Sequence, residues 1–132
     1  MKADTLLAWL LRFEGALLLC ALPFVVIPMG SMAAVHSLLG LGEMPAGTLV
    51  EYLTRSLSLL YASWGQLSLY MATDVRRHRD LIVFLAWVRL VFAAGMLLLD
   101  VWLAMPWFWT ATEGPGIAIC SLVNWMLARQ LK

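Results

Sequence analysis

Four long apolar runs, each carrying two or three ionisable or amide side chains, limit what this chain can fold into. They cover about residues 6–29, 49–72, 81–103 and 115–131. A helix of that length crosses roughly 30 Å of hydrocarbon, and a run of that length is too long for a strand. Of the 132 residues, 63% are hydrophobic and only 13% are charged, which lies far outside the range of soluble domains and leaves no room for a separate one. A formal net charge of +1 gives no electrostatic basis for binding nucleic acid. The expected fold is all-α: an integral membrane four-helix bundle formed by residues 1–132 as a single domain.

Local signals suggest where these helices begin and end. Thr48 and Glu51 have the spacing of a capping box, after a turn made by Pro45, Ala46 and Gly47. Thr110 and Glu113 share that spacing, whereas Gly114–Pro115 suits a later start with proline in the first helical turn. Both registers remain open. Ser31–Leu39 reads as a short interfacial segment between the first two crossings, stopped by Gly40 and Gly42. Cys20 and Cys120 lie inside apolar runs and read as buried small side chains rather than a disulfide. Arg12 and Glu14 interrupt the core that a signal peptide would need, so the first run is expected to be retained.

Charge sets the orientation. Lys2, Arg12, the Arg76–Arg77–Arg79 connection, Arg129 and Lys132 fall on one side after an even number of crossings. The positive-inside rule makes that side, with both termini, cytoplasmic. The other side carries Glu43, Glu51, Asp100 and Glu113, with Arg55 as its base. Trp102, Trp107, Phe108 and Trp109 mark the outer boundary, and Trp9, Tyr70 and Trp125 the inner one. Arg12 reads as a side chain snorkelling to the interface.

Arg55 and Gln66, Arg89 and Asp100, and Glu113 and Asn124 are each eleven positions apart, close to three helical turns. Each pair therefore lies on one helix face, and polar groups cannot face lipid cheaply. Counting outward from a hairpin bend near Arg77 brings Gln66 level with Arg89, and Arg55 level with Asp100. This predicts an inner polar cluster of Glu14, Gln66, Arg89 and Asn124. It also predicts an outer cluster of His36, Glu51, Arg55, Asp100 and Glu113. Small residues at Thr54, Ser58, Ala62 and Gly65 mark an inward face on the second helix. On the third, Ile82, Ala86, Arg89, Ala93, Met96 and Asp100 form one stripe.

No phosphate loop, nucleophile elbow, dinucleotide fingerprint or His/Cys metal spacing is present, so no catalytic residue, cofactor or metal is expected. The stretches Glu51–Gly65, Ala104–Trp109 and Thr112–Pro115 resemble small uncharacterised bacterial four-helix inner-membrane proteins, more loosely the DoxX-like group. That resemblance implies the bacterial inner membrane and assigns no site residues. Glu14 is also similar in position to the first-helix glutamate of small multidrug transporters, though its surroundings and Arg89 depart from that family. The leading expectation is a non-enzymatic membrane component in contact with the lipid bilayer, working as a subunit with a protein partner or as a homo-oligomer. The alternatives are a proton- or cation-linked transporter using Glu14 or the outer carboxylates, and a membrane enzyme acting on a lipid or quinone.

Overall fold

A computed structural model describes residues 2–131. Among these residues there are five α-helices and no strand: α1 (Ala3–Leu19), α2 (Met29–Leu38), α3 (Thr48–Met71), α4 (Arg79–Trp102) and α5 (Trp107–Arg129). A short 3-10 turn, Leu22–Val25, follows α1. The chain divides into two compact units. One comprises Met1–Arg12 with Tyr70–Lys132, the other Phe13–Leu69.

Two stretches, Ala3–Val25 and Arg79–Trp102, are long and apolar enough to cross a membrane. The expectation of four such stretches is therefore met by two. α3 and α5 are long enough, at 24 and 23 residues, but more polar. The serines, threonines, tyrosines and Gln66 of α3, with Glu51 and Arg55, dilute its apolar content.

The first run does not continue as one helix to residue 29. Pro23 has no N–H to offer the Leu19 carbonyl four residues back, and its ring crowds that carbonyl. The chain tightens instead, with the Ala21 amide donating to the Leu18 carbonyl at 3.1 Å, and then enters the 3-10 turn. Pro28, in extended conformation, starts α2, which covers most of the expected interfacial segment. Cys20 is exposed and Cys120 half-buried, where both were expected to be buried, and neither is in a disulfide.

The capping box at Thr48 does not form as expected. Thr48 is already helical, the Glu51 amide donates to the Gly47 carbonyl at 3.0 Å, and the Glu51 carboxylate turns to Arg55. α5 begins at Trp107, earlier than either expected start, with Pro106 preceding it. Pro115 lies inside that helix between two glycines.

Each unit contains a point where helices approach backbone to backbone. In the unit Phe13–Leu69, a Cβ added at Gly15 would meet the Gly65 carbonyl at 2.9 Å, and one added at Gly65 would meet the Gly15 carbonyl at 2.8 Å. In the other unit, α4 and α5 pack as a hairpin across a four-residue connection. They approach closely at Gly114, where an added Cβ would meet the Ala93 carbonyl at 3.0 Å.

The inward stripes match the sequence reading in part, with Thr54, Arg89 and Met96 only half-buried. On α3, Ser58, Ala62, Gly65 and Ser68 are buried; on α4, Ile82, Ala86, Ala93 and Asp100 are. The Ser58 and Ser121 hydroxyls donate to carbonyls four residues earlier in their own helices, at 2.8 and 2.7 Å, and so sit against neighbouring surface without an unpaired donor.

Candidate functional site

Arg55 organises the polar groups of the unit Phe13–Leu69. It lies one turn after Glu51 on α3, the favourable order for an ion pair. Its Nε and Nη2 donate to Glu51 Oε1 at 3.0 and 2.8 Å. Its Nη1 donates to the Val25 carbonyl at 2.6 Å, at the end of the 3-10 turn. One guanidinium thus clamps a helix face to a backbone carbonyl left over where Pro23 ended the regular helix. The planar fork of arginine suits this task; a lysine would offer a single point charge. The partnership with Glu51 was legible from spacing, whereas the bond to Val25 followed from no sequence pattern.

His36, placed with the outer cluster by sequence, bonds locally. Its Nδ1 lies 3.1 Å from the Gly42 carbonyl and ties the end of α2 to the following loop. Gly42 itself has a positive φ of 83°, where glycine is favoured.

The other two outer residues meet on α4 and α5. The antiparallel hairpin sets Gly114 against Ala93 and Leu97, so the last turn of α4, with Asp100, lies level with the first turns of α5. Asp100 is only 4% exposed, and its Oδ2 is buried with no hydrogen-bond partner among the described residues. Glu113 is half-buried and stands two residues before the fourth apolar run. Burial raises its carboxyl above the usual carboxylate range, the Trp109 indole N–H donated at 2.6 Å opposes this, and the Asp100 charge adds to the rise. The Trp109 contact is an i to i+4 pair that exists only because α5 starts at Trp107, so a later expected start concealed it.

The expected inner cluster is placed unevenly. Glu14 on α1 and Asn124 on α5 are buried, at 5% and 2% exposure, and Arg89 on α4 is half-buried. Gln66 is exposed and belongs to no buried cluster. Eleven residues make slightly more than three turns, and this drift carries position 66 past the edge of the buried α3 stripe. Among the described residues, no group of three or more His, Cys, Asp or Glu side chains is placed to hold a metal ion.

No family model, curated protein or solved structure matches the chain. The likeness to the DoxX-like group therefore rests on the sequence stretches alone.

At the far end of the α4–α5 hairpin, basic and aromatic side chains gather. Arg76 Nη2 donates to Asp4 Oδ2 at 2.8 Å, and Arg79 Nε donates to the Ala128 carbonyl at 3.1 Å. These bonds bring the start of α1, the α3–α4 connection and the end of α5 to one place. The Arg12 guanidinium lies 5.6 Å over the Trp9 ring, and that of Arg129 lies 4.8 Å over Trp125. The Tyr70 and His78 rings lie with centroids 4.5 Å apart, tilted by 39°.

Proposed function

We propose that this protein is a non-enzymatic, multi-pass component of the bacterial cytoplasmic membrane, crossing four times with both termini inside and working as a subunit or homo-oligomer. One observation carries the reading: on α1, Phe13 is 67% exposed while its neighbour Glu14 is 5% exposed. A soluble helix does the opposite. α4 repeats the inversion, with Phe84, Trp87, Val91 and Leu98 outward and Asp100 inward. Hydrocarbon around the helices accounts for both. The resemblance to DoxX-like proteins belongs to the same reading.

The test begins with fractionation and cysteine mapping. In a variant lacking Cys20 and Cys120, the chain should resist alkaline extraction from bacterial membranes. A single cysteine replacing Arg77 should react from the cytoplasmic side, and one replacing Gly42 from the outside. Gentle detergent extraction should then yield a particle larger than one 14.7 kDa chain in its micelle. A peripheral protein, inverted labelling or a uniformly monomeric particle would each count against the corresponding part of the proposal.

Asp100 favours a second reading, a proton- or cation-linked transporter. A buried carboxylate oxygen with no donor among the described residues is an acceptor that a transported cation could use. Purified protein in liposomes should then dissipate an imposed proton or cation gradient, and Asp100→Asn should abolish the flux. A similar leak rate in protein-free liposomes would remove this reading.

A further inference from the structure

We infer that Arg12, Arg77 and Arg129 form a rim that selects anionic phospholipid headgroups from the cytoplasmic leaflet; this rests on the membrane reading above. Two arginines at the α3–α4 connection are already neutralised. Arg76 is paired with Asp4, and Arg79 with Asp80 at 3.0 Å. Arg12, Arg77 and Arg129 are exposed, and no ion pair holds them among the described residues.

Two of these three are poised by aromatic rings. Arg12 reaches back over Trp9, and Arg129 over Trp125. A guanidinium held over an aromatic ring by cation–π attraction keeps its N–H fork available for a second partner. That fork matches two oxygens of a phosphate, and the ring restricts the side chain before the ligand arrives. Trp9 is itself 60% exposed, so ring and guanidinium together present an apolar surface with a cationic edge. A phospholipid has the complementary form, with acyl chains below and a phosphate above. The Arg76–Asp4 and Arg79–Ala128 bonds fix the supporting segments at one end of the unit. Free phosphate would use the fork but leave the exposed tryptophan face uncovered, which favours the lipid as the source.

The experiment compares full-length protein in nanodiscs of phosphatidylcholine with nanodiscs of equimolar phosphatidylcholine and phosphatidylglycerol. Thermal unfolding and the lipids retained in native mass spectra are the readouts. Wild type should unfold at higher temperature in the anionic discs and retain phosphatidylglycerol selectively. Arg77→Ala has no ion pair to disrupt, and it should lower that selectivity about five-fold. The triple alanine variant should abolish it. Arg12→Lys with Arg129→Lys keeps both charges but removes both forks, and should lose most of the selectivity while inserting normally. Equal stability and retention in both discs, or a selective triple variant, would overturn the inference and leave the membrane reading standing. So would inorganic phosphate reproducing the full stabilisation in neutral discs. Failure to insert into either disc would overturn the membrane reading and this inference with it.

Discussion

Gly15 and Gly65 touch through their backbones, each occupying the space a side chain would need on the other. The obstacle to a methyl group at Gly65 is the Gly15 carbonyl and the Leu19 amide, neither of which can rotate away. Helices meeting this closely gain dispersion contacts that lipid-embedded bundles depend on.

Gly65→Ala should therefore destabilise the protein by about 1–3 kcal/mol, despite the better helix propensity of alanine. Gly95 and Gly116 supply the control, since a Cβ at either meets nothing within 4 Å. Gly95→Ala should be neutral or stabilise by up to about 1 kcal/mol. Denaturation in mixed micelles would rank the variants, and equal effects at positions 65 and 95 would contradict the contact.

Arg55 makes two kinds of bond, and they should separate on mutation. The Glu51 pair is partly solvated, with side chains 27% and 44% exposed, so Glu51→Gln should cost less than about 1 kcal/mol. Arg55→Ala also strips the Val25 carbonyl of a charged donor, so the loss should approach about 2 kcal/mol. Equal losses for the two variants would assign the Val25 bond no weight.

The end of α4 carries strain that a single substitution should relieve. The Met105 amide donates to the Asp100 carbonyl at 2.9 Å and the Ala104 amide to the Val101 carbonyl at 3.3 Å, the bond pair of a Schellman cap. Ala104 sits at the left-handed position with φ of 51°, where glycine is at ease and alanine is not. Ala104→Gly should stabilise by about 0.5–1 kcal/mol, after the extra entropy of a glycine in the unfolded chain is deducted. A drop in unfolding temperature would refute the strain.

Glu113 should make stability fall with rising pH. Its folded carboxyl titrates above the ordinary value of 4.5, chiefly because it is desolvated. The neutral acid is then the form the fold favours. The resulting stability is complete below the unfolded value and is lost as pH climbs through the folded one. Glu113→Gln should flatten that part of the profile. Trp109→Phe, which removes the indole donor, should move it to higher pH, and Asp100→Asn should move it lower. Unfolding temperatures across a pH series would decide, and a slope unchanged in Glu113→Gln would place its origin elsewhere.

Much of the helix layout was legible because apolar periodicity is a local property. α3 and α4 fall within two residues of the boundaries read from the sequence. The errors lie where proline acts through its neighbours. Pro23 ended α1 four residues ahead of itself, while Pro115, flanked by Gly114 and Gly116, was absorbed into α5. A proline marks a disturbance in either case, and the chain around it decides whether the helix stops. The candidate sites were legible in proportion to their locality. Glu51 with Arg55 follows from four-residue spacing, whereas Arg55 with Val25 depends on where a turn thirty residues earlier comes to rest. Gln66 shows the cost of extending one period over three turns.

The early stop of α1 bears on bilayer thickness. Its 17 residues rise about 26 Å, short of a hydrocarbon layer of roughly 30 Å, whereas the 24 residues of α4 rise about 36 Å. The 3-10 turn climbs about 2 Å per residue, more steeply than an α-helix, and its four residues make up the shortfall. On the proposed membrane reading, a thicker hydrocarbon layer would act on α1 at the joint near Pro23, beside the Val25 carbonyl that Arg55 holds.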